Sequence, residues 1–418
     1  MGNENDSLHR WGICNMAPDF LERARYKYRK DGALGLVLAG AKEPFRRRLL
    51  VEEDDAVYSR ASDVIRVEEG AKSQFRYDGL HDPPHPAFIP AVDGQAIATP
   101  RDVCEFQDAV LIGSEPIINL DGRYISPSAI GTAKARQDGW KERETFAANV
   151  SLTDAILGSY ARTRPTSTVD SGFLLTGFFT GFGHWTFEVL PKLWAYEAYM
   201  RETGEEPTLI IRGELSSWQR ESLSLLGYPL ESLQQTGSDP VHVQQLLVPS
   251  HRFLTWSQIP TYPSMRDLQW VRNRMRQNVS PGSGSFGDRI FISRADAPRR
   301  RLHNRREVLE VLEEYAFEVY EPGRLSFSDQ VRLFSNAEMV VGPYGAGLSN
   351  VIFGEDPTLL EMVLDAEENI HHYVLANLLD IDYEYVSCLP HAQAGGEFRH
   401  SDLEVDTDRL REVLESIL

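Results

Sequence analysis

His184 and Glu188 stand four residues apart in Gly183-His-Trp-Thr-Phe-Glu188. That spacing puts an imidazole and a carboxylate on one face of a helix. A histidine beside a carboxylate can take the proton of a hydroxyl, because its unperturbed pKa lies near neutrality. The segment therefore offers a general base, with His184 as first candidate and Glu188 as second. A histidine that only caps the start of a helix is the competing explanation. Arg294 ends the apolar run Arg289-Ile-Phe-Ile-Ser293, so its guanidinium is expected at the carboxyl end of a strand, where open α/β sheets bind ligands. Between 289 and 310 seven arginines face Asp296, Glu307 and Glu310, a local net charge of +4 in a chain of net charge −19. Arginine forks match phosphate oxygens, so this reversal of sign suits an anionic ligand.

The anion-binding pattern is completed by Met339-Val-Val-Gly-Pro-Tyr-Gly-Ala-Gly-Leu-Ser-Asn-Val-Ile-Phe353. An apolar strand runs into a glycine turn, and the turn into a helix. Gly345 and Gly347 let the backbone come close to a ligand, and the helix start aims N–H groups at it. A tight strand-to-helix turn without a ligand has the same look. Glu361, read as the end of the next strand, could accept ribose hydroxyls there, or form an edge ion pair. Other chemistries find little support. HExxH, GxSxG and a cysteine metal pattern are absent from the sequence. Asp380-Ile-Asp382 and Asp406-Thr-Asp408 lie at expected helix borders, where aspartate caps well.

These residues need strands and helices to hold them. The second half alternates cleanly, with strands expected at 289–293, 317–320, 337–342, 358–363 and 383–387. Helices are expected at 305–315, 327–336, 347–353 and 369–379, the first opened by an Asn304/Glu307 capping box. The first half reads as strands at 172–176, 208–211 and 243–248 with helices at 216–226 and 264–277, behind short strands near 108–113 and 116–120 on an irregular cap. The loop 278–287, rich in Ser and Gly, divides the halves.

Length and composition agree with two folded cores: 418 residues, 42% hydrophobic and 25% charged. The 62 acids against 43 basic residues, of which seven are lysine, disfavour a nucleic-acid binder. They fit either a salt-rich cytoplasm or an ordinary acidic enzyme. Cys14, Cys104 and Cys388 are far apart, as expected of free thiols in a reducing compartment. No apolar run reaches 18 residues and residues 1–10 are polar, so neither a membrane span nor a signal peptide is expected. The basic stretch 23–48, from Arg23 to Arg48, is expected either to touch anionic lipid as a peripheral contact or to pack as an arm.

Taken together, Gly183-His-Trp-Thr-Phe-Glu-Val-Leu-Pro-Lys-Leu193, Ile290-Phe-Ile-Ser-Arg294, Asn304-Arg-Arg-Glu307, Gln330-Val-Arg-Leu-Phe-Ser-Asn-Ala337 and Val341-Gly-Pro-Tyr-Gly-Ala-Gly-Leu-Ser-Asn350 resemble glycosyltransferase family 61 in order and spacing, over roughly 170–390. The resemblance implies an α/β fold of GT-B type: two Rossmann-like domains with parallel sheets facing a central cleft. The expected division is an N-terminal arm (1–75), an acceptor domain (76–280), a nucleotide-sugar domain (281–400) and a C-terminal helix (401–418) packing back on the first domain. It implies inverting transfer of a sugar from a nucleotide sugar to a glycan, lipid-linked or protein-linked hydroxyl, in the cytoplasm or at the inner face of its membrane. The implied donor set is Arg294, Tyr344, Gly345, Ala346, Gly347, Leu348, Asn350 and Glu361. Tyr344 stands where the family usually has histidine. Because arginine and a helix dipole can replace a cation, no obligatory metal or other cofactor is expected. The reading from another class is a catalytically silent sugar-nucleotide or glycan binder on the same fold.

Overall fold

The computed structural model describes residues 165–252 (178 and 180 apart), 263–280, 286–365, 370–391 and 401–418, together with 95–131, 140–151 and parts of 42–74. Most of the basic stretch 23–48 lies outside these residues, as does Cys14. Among the described residues no helix is long and apolar enough to cross a membrane.

Two main sheets carry the fold. The first contains β1 (Leu50–Val51), β2 (Asp63–Glu68), β3 (Arg101–Ile112), β4 (Ile117–Leu120), β5 (Arg123–Ile125), β6 (Ser167–Leu175), β7 (Thr208–Arg212), β8 (Gln234–Thr236) and β9 (Val241–Pro249). Its order is β1-β5-β4-β3-β9-β6-β7-β8, with β2 also on β3. β9, β6, β7 and β8 are mutually parallel, whereas β3 is antiparallel to β9, β2 and β4. The sheet is therefore mixed, which corrects the expectation of a wholly parallel one. The strands expected on an irregular cap belong to it: β3 is twelve residues long and joins the two halves of the sheet.

The second sheet has the order β11-β10-β12-β13-β14-β15. Its strands are β10 (Arg289–Ile292), β11 (Glu318–Tyr320), β12 (Met339–Pro343), β13 (Thr358–Leu364), β14 (Tyr383–His391) and β15 (Asp402–Val405). All pairings are parallel except β14 with β15. β12 is buried at all five positions, as a central parallel strand covered on both faces requires.

The longer helices among the described residues are α1 (Trp140–Asn149), α2 (Lys192–Thr203), α3 (Ser217–Leu225), α4 (Met265–Asn278), α5 (Arg305–Glu314), α6 (Phe327–Asn336), α7 (His371–Leu379) and α8 (Thr407–Ile417). Local chemistry sets their starts. Ser216 with Gln219 and Ser264 with Asp267 form capping boxes, and Ser326 caps α6 by accepting from the Asp329 N–H. Asn304 precedes α5 but makes no side-chain cap. Its amide instead donates to the Val405 carbonyl at 2.7 Å and accepts from the Val405 N–H at 3.1 Å, tying 304 to β15.

One apolar core runs from Phe173, Trp185 and Leu193 through Val271 and Met275 of α4 to Ile292, Phe327, Leu348 and Phe353. The two sheets thus share buried surface. A second core lies on the other side of the second sheet, where Leu410, Val413 and Leu414 of α8 meet Val308 and Leu312 of α5 and Phe291 of β10. The C-terminal helix therefore packs on the second sheet and not on the first. Its apolar stripe fits the face that β15 and α5 leave to cover, and Arg411 reaches Glu314 at 2.8 Å.

Candidate active site

His184 enters at a junction. Phe182–His184 form one helical turn, Trp185–Val189 a π-turn, and α2 begins at Lys192. Pro191 explains the π-turn: it has no N–H to donate and its ring crowds the carbonyl four residues back. The preceding N–H, on Leu190, reaches back to the Trp185 carbonyl at 3.0 Å instead. Trp185 is core, 2% exposed, its indole N–H donating to Ser222 Oγ at 2.9 Å.

The pair read from the sequence is present. His184 Nδ1 lies 3.4 Å from Glu188 Oε2, with the imidazole 22% exposed and the carboxylate 3% exposed. With Nδ1 donating to the carboxylate, Nε2 presents its lone pair. Glu188 is also held from behind. His251 Nδ1 lies 3.0 Å from Glu188 Oε1. The other ring nitrogen of His251 accepts from Lys192 Nζ at 3.2 Å, and Lys192 donates to the Thr176 carbonyl at 2.7 Å. Burial alone would raise the Glu188 carboxyl; the hydrogen bonds from His184 and His251 outweigh it and hold it at about 2. Burial, then the Lys192 charge, pushes His251 down to about 4. Burial pushes Lys192 down to about 7.

Long-range hydrogen bonds fix His251. Its N–H donates to the Ile130 carbonyl at 2.8 Å, the Ser250 N–H to the Asp102 carbonyl at 2.7 Å, and Arg101 Nη1 to the Ser250 carbonyl at 2.7 Å. Arg101 is itself paired with fully buried Asp267 at 3.0 Å. The sequence reading missed His251 and Lys192. His251 does follow a strand end, the signal that singled out Arg294.

The glycine turn sits against this junction. A Cβ on Gly183 would lie 2.9 Å from Ser349 Oγ, and the His184 ring is 6.0 Å from that of His371 on α7. Burial, then His184, holds His371 well below its usual pKa. The turn continues as a 3-10 helix, Ala346–Phe353, in place of the expected α-helix. Arg294 lies over it: a Cβ on Gly345 would fall 1.8 Å from Arg294 Nη1. Arg294 Nη2 donates to the Arg299 carbonyl at 3.2 Å, and its Nε is buried without a hydrogen-bond partner among the described residues. Burial, then the neighbouring Arg300, pushes this guanidinium down to about 10. An anion between the two arginines would relieve that repulsion. Arg294, Ser293, Asp296, Pro322, Gly347 and Leu348 line one cleft.

The remaining residues of the expected donor set are placed differently. Tyr344 is 8% exposed, with Arg300 4.5 Å above its ring and His372 5.4 Å away. Ala346 is exposed at the turn. Asn350 is fully buried and donates to Gln330 Oε1 at 3.0 Å and the Gly347 carbonyl at 3.1 Å, holding the turn to α6. Glu361 is not at a strand end. It is the fourth of seven residues in β13 and 2% exposed, and it accepts from Tyr383 Oη at 2.7 Å and pairs with His372 Nδ1. With both oxygens taken inside the core, it is not offered to a ribose.

A second cleft is lined by Trp185, Phe179, Ser126, Thr176, Arg212 and Gln219. The Phe179 ring is 4.5 Å from that of His184. Thr176 Oγ1 and Arg212 Nε have no hydrogen-bond partner among the described residues. Apolar walls with a few directed polar groups suit a small polar ligand.

The halves together form an α/β frame in which His184, paired with Glu188, borders the glycine turn and Arg294. Residues 182–360 match the family model described as Glycosyltransferase 61, so the family resemblance read from the sequence holds over that segment and supports a glycosyltransferase. No curated protein matches the chain.

Proposed function

We propose that the chain is an inverting glycosyltransferase of GT-B architecture, acting in surface polysaccharide or glycoconjugate synthesis. Its donor is a nucleotide sugar whose diphosphate lies against Arg294, Arg300 and the 345–348 turn, with Tyr344 as the platform that orients Arg300. Its acceptor enters the cleft between Phe179 and Arg212. The observation that carries this reading is the His184–Glu188 pair abutting the glycine turn under Arg294.

The transfer is a single displacement. The acceptor oxygen forms its bond to the anomeric carbon while the bond from that carbon to the diphosphate oxygen breaks, and the electron pair leaves with the nucleoside diphosphate. His184 Nε2 takes the acceptor proton, and Glu188 stabilises the imidazolium so formed. Arg294 and the N–H groups of the turn stabilise the developing negative charge. His251 and Lys192 are positioning residues that keep Glu188 ionised and aimed at His184.

The test is His184→Ala assayed for release of nucleoside diphosphate from UDP-, GDP- and dTDP-sugars with candidate acceptors. Turnover should fall by roughly 10²- to 10⁴-fold while donor affinity barely moves. A parent protein that binds donor but releases no diphosphate with any acceptor would be a silent binder. A variant with parental turnover would remove His184 from the chemistry.

A further inference from the structure

We propose that His303, His391 and Glu404 form a site for a borderline divalent transition cation of the zinc type, outside the transfer site and independent of the reading above. His391 ends β14, Glu404 lies in β15, and His303 lies on the segment that runs alongside β15. The donor atoms of all three lie within 4.8 Å of one another. The two imidazoles are stacked, with centroids 3.3 Å apart and planes 10° apart, and His391 Nδ1 is 3.5 Å from Glu404 Oε2.

The chemistry and the dimensions both fit. Two imidazoles and a carboxylate are zinc ligands, bound at about 2.0–2.2 Å, which puts two nitrogens of a tetrahedral site about 3.3 Å apart. The three donor atoms, all within 4.8 Å of one another, lie close enough to reach that spacing. All three side chains reach solvent, so the two rings are free to turn out of their stacked arrangement and bring their lone pairs to one point, and water would complete the fourth position. The backbone beneath them is already fixed. The His303 N–H donates to the Leu403 carbonyl and the Leu403 N–H to the Arg301 carbonyl, each at 2.8 Å. The nearby charge of Arg301 is taken up by Asp402 at 3.0 Å. A cation here would clip to the β14–β15 edge the segment that follows Arg294 and Arg300, and so stiffen one wall of the anion site.

Untagged full-length protein, stripped with chelator, would be dialysed to equilibrium against zinc chloride, and cobalt(II) binding followed by its visible absorption. One zinc per chain is expected, together with the intense absorption of tetrahedral cobalt. His303→Ala and His391→Ala should each weaken zinc binding by about 100-fold or more, at or beyond the upper end of what losing an outer-shell partner costs. Glu404→Gln should weaken it less. The three side chains are solvent-exposed, so the variants should keep the parental melting temperature in chelator. A parent that binds no stoichiometric zinc overturns the proposal, as do histidine variants that bind zinc like the parent.

Discussion

Arg294 and Gly345 divide one small volume between them. A methyl group on Gly345 would occupy the position of Arg294 Nη1, and the clash would fall on the far end of a flexible side chain. Gly345→Ala should therefore displace the guanidinium without unfolding the protein. It should reproduce the donor-affinity loss of Arg294→Ala, a charge-assisted contact worth about 1.5–3 kcal/mol. Isothermal titration with nucleoside diphosphate compares the two variants directly. Unchanged affinity in both would remove Arg294 from the anion site. Arg294 was legible in the sequence because a strand end locates it. Glu361 was misread for the converse reason: an acid within an apolar run looks like a strand end unless its partners, His372 and Tyr383, are known to be folded around it. Those partners lie 11 and 22 residues away, and no periodicity announces them.

At the scale of elements, the second sheet was readable throughout, whereas the first was readable in its strands near 172–176, 208–211 and 243–248 but not in the antiparallel pairing of β3. In the second half the parallel strands β10 to β13 are each followed by a helical segment, so local pattern decides the structure. β3 is different. Its Arg101, Asp102, Gln107 and Asp108 break the apolar pattern, Asp108 adopts a left-handed φ of 52°, and its partners β9 and β2 are non-local. The π-turn at Trp185–Val189 had only one sequence signal, Pro191, and it sets the junction at which His184 and Glu188 meet. Pro191→Ala restores an N–H at that position and should let the turn relax to α-helical hydrogen bonding, moving Glu188 relative to His251 and Lys192. Turnover should fall at least about 10-fold, since a shift near 1 Å can cost 10²-fold, with donor affinity unchanged. Parental turnover would show that the π-turn does not set the catalytic geometry.

The whole molecule stores its electrostatics unevenly. The chain carries a net charge of −19, yet between His184 and the core of the first sheet lies a cluster of buried ionisable groups: Glu188, His251, Lys192, Arg101 and Asp267. This cluster predicts how stability responds to acid. His251 falls from its ordinary 6.5 to about 4 on folding, so between those values the unfolded chain binds the additional proton and stability must rise with pH. Glu188, lowered from 4.5 to about 2, has the same sign in a more acidic window. Lys192, lowered from 10.5 to about 7, has it in an alkaline one. His251→Asn keeps an amide that can donate to Glu188 and accept from Lys192 but removes the titration. Urea unfolding midpoints measured from pH 4 to 6.5 should climb steeply in the parent and more gently in the variant, and the two curves should run closer to parallel above pH 6.5. Parallel curves throughout would mean that His251 does not lose its proton on folding, and its position behind Glu188 would then carry no electrostatic role.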